Sequence, residues 1–382
     1  MKCINAKRVF MSNPLIGLEG LPPFSKIKPE FVVPALKDGI ANCRKAIDDV
    51  LAKKSYTWDD LVLPLEEADD KLSRLFSPVS HLNSVMNNDE LREAYEQCLP
   101  LISEYSTFVG QHQGLYEAYN ALYNSDEFKT LTTAQQKSIT NALRDFKLSG
   151  IALASEDQKR YGEISARLSE LSSKFGNNVM DATLAWHKHI TDEADLAGLP
   201  ESALALAADT AKSKELDGWV FTLDFPSYLP IMTYADNREL RKETYTAFST
   251  RASDQGPNAG EFDNSEIMKE ALALRHELAQ LLGFKSYAEK SLATKMAETP
   301  EQVFSFLEDL AAKSKPQAEQ EVAELKAYAA QKHGITELEA WDFGYYGEKL
   351  KQEKYAISDE VLRPYFPADK VLSGLFETVN RL

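Results

Sequence analysis

The sequence contains two groups of residues whose types and spacing are typical of metal chemistry. In the first, His276 and Glu277 are followed by Gln280, within a stretch of helical periodicity. In the motif His-Glu-x-x-His, two imidazoles at i and i+4 share one helix face and bind zinc, while the glutamate activates water. Gln280 stands where the second imidazole is required, and a neutral amide is a poor zinc ligand. We therefore interpret this stretch as an ordinary structural helix.

The second group is His187 and His189, which alternate along a predicted strand over residues 183–190. Residues i and i+2 of a strand lie on one face, but zinc needs at least one more protein ligand. We interpret the two histidines as polar residues on the solvent side of a small hairpin whose second strand is Trp219–Leu223. The opposite face of the first strand carries Leu184, Trp186 and Ile190. The sequence thus predicts no metal site and no catalytic residue.

Composition excludes several classes of function. The formal net charge is −16 and the isoelectric point about 5.0, which argues against a nucleic-acid partner because phosphates require clustered Lys and Arg. Cys3, Cys43 and Cys98 are widely spaced, so neither a disulfide framework nor a zinc ribbon is predicted. No apolar run approaches the roughly 20 residues of a membrane span, and the N-terminus lacks the apolar core of a signal peptide. We expect a cytoplasmic protein with no membrane partner.

The elements that would position these residues are mainly helices. Apolar residues recur at helical spacing, and caps mark several helix starts. Ser155 and Gln158 form a capping box before the seam of residues 161–175, which predicts an antiparallel partner helix. The predicted helices cover residues 28–54, from 57 onward, 88–123 with a break at Pro100, 133–150, 155–178, from 299 onward, from near Pro316 to His333, and 371–382.

Two further patterns leave alternatives open. A tyrosine-rich region lines either a ligand groove or the core, and we favour core packing. Its members are Tyr95, Tyr105, Tyr116, Tyr119 and Tyr123. The last residues, 371–382, form an apolar helix face that no cap closes, which predicts that something packs against it. We also expect residues 1–11 to be an N-terminal extension.

Motifs along most of the chain resemble those of the zinc oligopeptidases of the thimet oligopeptidase family, peptidase family M3. They are Trp219–Leu223 with Asp224-Phe225-Pro226, Leu240-Arg241, Thr250-Arg251-Ala252-Ser253, the run from His276 to Ala297, Trp341-Asp342-Phe343-Gly344-Tyr345-Tyr346, and Arg363-Pro364-Tyr365-Phe366-Pro367. The resemblance covers essentially everything from Met11 onward. It implies a mainly α fold with one small antiparallel β element: a helical N-terminal domain over residues 12–228 and the beginning of a zincin-like catalytic domain over 229–382.

The function that this resemblance implies is zinc-dependent endopeptidase cleavage of short cytosolic peptides. The family's zinc motif does not occur in this sequence, so the resemblance implies zinc in the full-length family but none in this chain, which is predicted to be inactive alone. Its expected partners are short peptides and a missing C-terminal half. Tyr345 and Tyr346 are candidates for facing the substrate channel and contacting peptide, but we favour aromatic packing for both. The competing hypothesis is a non-catalytic helical module that binds peptides or a partner protein, either as a truncated remnant or as one half of a split enzyme.

Overall fold

The computed structural model describes residues 13–382, except for the side chain of Asp359. The predicted N-terminal extension and Cys3 lie outside the described residues. Helices dominate the described chain, and one two-stranded antiparallel sheet accompanies them, which confirms the predicted fold class. The helices are α1 (Pro29–Lys53), α2 (Leu63–Val85), α3 (Asp89–Gly110), α4 (Gln113–Tyr123), α5 (Thr133–Leu148), α6 (Ser155–Ala185), α7 (Glu201–Ser213), α8 (Phe225–Tyr234), α9 (Arg238–Ser249), α10 (Ser265–Leu281), α11 (Tyr287–Leu292), α12 (Pro300–His333), α13 (Phe343–Tyr355), α14 (Asp359–Leu362) and α15 (Ala368–Arg381).

Capping residues account for where several helices begin. Before α5, the Thr132 hydroxyl accepts the Gln135 backbone N–H at 3.3 Å, while the Gln135 side chain accepts the Thr132 N–H at 3.0 Å. These two bonds satisfy donors that a helix start leaves unpaired. Before α12, the Thr299 hydroxyl accepts the Gln302 backbone N–H at 3.2 Å, and Pro300 occupies the first turn of the helix. Local sequence therefore fixes these two starting points.

Helix α12 corrects one prediction. A separate helix was expected from near Pro316, but Pro300–His333 is a single helix with Pro316 inside it. A proline removes one backbone N–H donor and crowds the preceding turn, yet the hydrogen bonds on either side remain available. In a helix of 34 residues those bonds are enough to keep it continuous. It ends at Gly334, whose φ of 72° is a left-handed conformation that glycine adopts without strain.

The sheet consists of β1 (His187–Ile190) and β2 (Trp219–Thr222), paired antiparallel with His187 opposite Thr222 and Ile190 opposite Trp219. The predicted pairing is confirmed, but the predicted start of the first strand at residue 183 is wrong. Helix α6 continues to Ala185, and the Thr183 hydroxyl donates to the Val179 carbonyl at 2.7 Å, one helical turn back. Leu184 therefore lies on the helix, 62% exposed, and not on the apolar face of the strand.

The chain divides into two compact units, and the predicted boundary between residues 228 and 229 stays a prediction. The first unit comprises the residues up to Lys174 together with Lys269–Glu298. Its core has two clusters, which are supplied by α1 to α5, the short π-helix Trp58–Val62, Leu15 and Ile151. Tyr105 and Tyr119 are buried there, in agreement with core packing of the tyrosine-rich region.

The second unit comprises Phe175–Met268 and Thr299–Leu382. One of its clusters lies around the sheet with α7, α8 and α9, and another joins α12 to α13. Helix α15 contributes nothing to these clusters. Its apolar side chains at Val371, Leu372, Leu375, Phe376 and Val379 are between 49% and 66% exposed. Nowhere among the described residues is a helix both long and apolar enough to cross a membrane.

Candidate functional site

Tyr345 and Tyr346, the candidate substrate-channel residues, lie on the first turn of α13. They are 7% and 5% exposed and pack against Leu325 and Ala329 of α12. Their rings meet edge to face, with centroids 4.9 Å apart. The structure thus places the pair in the core of the second unit. Whether either ring contacts a peptide stays a prediction.

A buried ion pair lies beside the tyrosines. Arg241 of α9 donates to Asp342 at 2.8 Å, and the two side chains are 1% and 0% exposed. Arg238, one turn earlier on α9, donates to the same carboxylate at 2.6 Å. The Glu339 backbone N–H adds a bond at 3.0 Å. Asp342 immediately precedes α13, so its carboxylate connects the start of α13 to two turns of α9.

The Asp342 carboxyl is held in its charged form. Burial raises its pKa, but hydrogen bonds from Arg238, the Glu339 backbone and Arg241 outweigh this, and the net pKa lies below the ordinary value of 3.8. A charge removed from water is tolerated only when it is paired and hydrogen-bonded. The three donors meet that condition here.

Tyr345 completes the cluster. Its hydroxyl donates to Asp236 at 2.6 Å, and the Arg241 guanidinium lies over its ring, 4.1 Å from the centroid. Burial, and then the bond to Asp236, raise the pKa of the Tyr345 phenol. The same bond, with help from Lys349, leaves the pKa of Asp236 below its ordinary value in spite of burial. The phenol is therefore a neutral donor, and the arrangement is suited to fixing α9 against α13.

Sequence reasoning missed Asp236, Arg238, Arg241 and Asp342 as a group. Arg241 and Asp342 stood inside motifs that resembled the family, but they are 101 residues apart. The one usable signal was Arg241, a charged residue beside Leu240 on the apolar face of α9. That signal suggests burial of a charge without naming its partner.

Within the His276 group, Glu277 is held in an ion pair and Gln280 is hydrogen-bonded to the backbone. Glu277 accepts two bonds from Arg160, at 2.6 and 2.9 Å, and these lower the pKa of its carboxyl. Gln280 directs its amide to the carbonyl oxygens of Phe284 and Lys285, at 3.3 and 3.1 Å. His276 is exposed. The interpretation of a structural helix therefore agrees with what each of these side chains contacts.

A second ion pair of the same kind joins the same two helices. We call each of these pairs, in which one arginine donates two hydrogen bonds to one glutamate, a fork. Arg167 of α6 donates to Glu270 of α10 at 2.6 and 2.8 Å. The arginines are seven residues apart in one direction and the glutamates seven apart in the other. Helices α6 and α10 are therefore joined antiparallel, as the seam in the sequence predicted.

The two strand histidines are not brought together with further ligands. His187 and His189 are exposed on β1. The Nε2 atom of His189 donates to the Asp217 carbonyl oxygen at 2.6 Å, which engages one of its two ring nitrogens. No group of three or more His, Cys, Asp or Glu side chains is placed to hold a metal within the part of the chain that the structure describes.

Two family models match the chain. One is described as peptidase family M3 and matches residues 231–382. The other is described as the N-terminal domain of neurolysin and thimet oligopeptidase and matches residues 36–159. The first model includes the whole Arg241–Asp342–Tyr345 cluster.

Relatives of known name agree with these matches. Oligopeptidase A of Salmonella typhimurium is 62% identical over 373 residues, which is 97% of this chain and 55% of that protein. A probable cytosolic oligopeptidase A of Arabidopsis thaliana is 37% identical over 381 residues, again 97% of this chain and 53% of the relative. The chain thus spans about half the length of the curated relatives it matches. Among solved structures, an oligoendopeptidase F from Bacillus anthracis covers 81% of this chain with a TM-score of 0.52 and 16% identity, a likeness of fold alone.

Proposed function

We propose that this chain, which belongs to peptidase family M3, takes part in the hydrolysis of short peptides in the cytosol. The observation that carries the proposal is the 62% identity to an oligopeptidase A, sustained over 97% of the chain. The cytosolic location is supported by the name of the Arabidopsis relative, a probable cytosolic oligopeptidase A. The substrate class follows from the same names and from the resemblance of the sequence motifs.

The activity would require zinc, as the resemblance to the thimet oligopeptidase family implies. The two histidine groups of the described chain do not fit the metal. Gln280 offers an amide that already donates to two carbonyls, Glu277 is engaged by Arg160, and His189 is hydrogen-bonded to a backbone oxygen. We therefore derive no catalytic step from these residues, and we propose that the chain alone is inactive.

What this chain contributes, in our proposal, is the framework of the peptide channel. The buried Arg241–Asp342 pair holds α9 at the start of α13, and Tyr345 adds its bond to Asp236. A fixed framework matters for peptide hydrolysis because catalysis depends on holding the reacting bond in one geometry. Tyr345 and Tyr346 remain proposed channel residues, and contact with a peptide would require their rings to become more accessible than they are here.

The proposed partner is the remaining part of an M3 peptidase. Helix α15 exposes five large apolar side chains on one face, and the N-terminal half of α12 exposes Phe304, Phe306, Leu307 and Leu310. Exposed apolar helix faces such as each of these are typical of interaction sites. The lengths of the relatives, of which this chain spans about half, supply a segment of suitable size to cover it.

A complementation assay tests the proposal. The zinc-loaded chain is incubated with a quenched fluorescent peptide, alone and mixed with the part of Salmonella oligopeptidase A that this chain does not match. We expect no hydrolysis alone and chelator-sensitive hydrolysis in the mixture. The control replaces Leu375 and Phe376 by serine, which should abolish the gain. Chelator-sensitive hydrolysis by the chain alone would overturn its proposed inactivity.

The second candidate function is a non-catalytic helical module that binds peptides or a partner protein. The exposed apolar face of α15 favours it as much as it favours a peptidase partner. Absence of hydrolysis in the mixture, combined with stoichiometric binding of the same peptide to the chain alone, would favour this second function.

A further inference from the structure

The first unit contains a large cavity that the proposed function does not use. It has a volume of about 540 Å³ and lies among α1, α2, α3, α4 and α5. Apolar side chains such as Leu36, Leu72 and Phe76 make up most of its wall. Cavities of roughly 300–1,000 Å³ with an apolar wall and a few converging polar groups are the usual form of small-molecule sites.

The charged groups in this wall are all of one sign. Among the described residues, Asp69 and Asp145 line the cavity, and no Lys or Arg does. Asp145 is paired with Arg144 at 2.9 Å. Within residues 13–382, Asp69 has no basic partner, and its one hydrogen bond comes from the Tyr105 hydroxyl at 3.0 Å. The cavity thus presents one carboxylate whose charge no described basic side chain compensates.

The surroundings of Asp69 make that charge available to a ligand. The residue is exposed, yet nearby protein atoms remove enough water to raise the pKa of its carboxyl, against the effect of the Tyr105 bond. The side chain is accessible to solvent while its carboxyl pKa is raised, because it faces an open space that has protein walls. A partly desolvated carboxylate gains more from a cation than a fully hydrated one does. The phenol cannot supply a counter-charge, because burial raises the pKa of Tyr105 and keeps it neutral.

We propose that this cavity binds an organic ammonium ion with an apolar body, its cation on the Asp69 carboxylate and its body among Leu36, Leu72 and Phe76. The Tyr105 and Tyr119 rings in the same wall add surfaces that attract cations. The tyrosine-rich region therefore serves the core and one ligand site together. This inference is independent of the proposed peptidase function.

The test uses three probes of similar size and different charge: protonated tryptamine (tryptammonium), neutral N-acetyltryptamine, and the indole-3-propionate anion. Binding to the full chain is measured by calorimetry, and ligand-to-protein Overhauser effects locate each probe. We expect tryptammonium to bind at least about tenfold more tightly than either of the others, as a hydrogen bond between charged groups implies. Its ring should contact Tyr105 and Leu72. A peptide amide with a free N-terminal Phe and its acetylated form distinguish a peptide N-terminus from a free amine as the source of the ammonium.

The matched variants are Asp69→Asn and Asp70→Asn. Asp70 is the next residue of α2, pairs with Arg74 at 2.7 Å and does not line the cavity. We expect Asp69→Asn to remove the preference for the cation and leave binding of the neutral probe unchanged, and Asp70→Asn to change neither. Circular dichroism confirms that both variants fold. Equal binding of all three probes, binding outside the cavity, or no binding of any probe would overturn the proposal.

Discussion

Arg241 and Asp342 form an ion pair of 2.8 Å in which both side chains are removed from water. Removing either side chain would leave the charge of the other buried without a partner, which costs far more free energy than burying the pair. The Asp342 carboxylate also accepts hydrogen bonds from Arg238 and from the Glu339 backbone N–H. It is therefore the point at which α9 and α13 are joined.

We expect Asp342→Ala to lower the free energy of unfolding of the second unit by about 3–5 kcal/mol, because it leaves the Arg241 charge buried without compensation. Urea unfolding followed by circular dichroism measures the change. The control is Asp309→Ala, which removes an exposed ion pair with Lys313 and should cost less than about 1 kcal/mol. Equal effects of the two substitutions would show that the buried pair has no special role. Replacing Arg241 and Asp342 together by Met and Leu should recover part of the loss.

The same pair predicts an acid dependence of stability. The folded pKa of Asp342 is lower than its unfolded value, so its contribution is fully present above the ordinary pKa of 3.8 and is lost as the pH falls towards the folded pKa. Asp342→Asn should therefore flatten the fall in unfolding free energy below pH 3.8. Chemical denaturation at a series of pH values, with Asp309→Asn as the control, measures it. Parallel pH curves for wild type and Asp342→Asn would contradict the assignment.

Much of the helix pattern was predictable, and the buried cluster was not. Thr132, Thr299 and Gly334 act on neighbouring residues, so a short window of sequence contains both cause and effect. The partner of Arg241 is 101 residues away, and nothing local distinguishes Asp342 from other acidic residues. The error over Leu184 has a similar origin: alternation of apolar residues favoured a strand, whereas the preceding long helix simply continued to Ala185.

We expect the chain to hold no stoichiometric zinc. Gln280 replaces the imidazole that a second ligand would require, and its amide donates to two carbonyl oxygens. Metal analysis after zinc loading and extensive dialysis checks this. About one zinc per chain, lost on replacing His187 and His189 by alanine, would show that the two strand histidines recruit a further ligand and that the prediction is wrong.

Helix α15 is expected to drive self-association. A large apolar side chain left in water forgoes about 1.5–3 kcal/mol of burial, and α15 exposes five. Replacing Leu375 and Phe376 by serine should shift sedimentation towards the monomer, whereas Glu377→Ser on the opposite face should not. Deleting residues 368–382 should act like the double substitution and leave residues 28–180 slow in hydrogen exchange. A monomeric wild-type chain with a well-protected α15 would refute the expectation.

The two arginine forks between α6 and α10 have a consequence for alignment. Arg160 and Arg167 bind Glu277 and Glu270, and both spacings are close to two helical turns. If α10 slid by seven residues along α6, one arginine would still find a glutamate while the other arginine and the other glutamate were left unmatched. Intermediate slides would match neither. The two forks therefore favour one alignment of α10 with α6 over alignments shifted along the helix axis. Exposed charges can specify an alignment in this way even where they add little to stability.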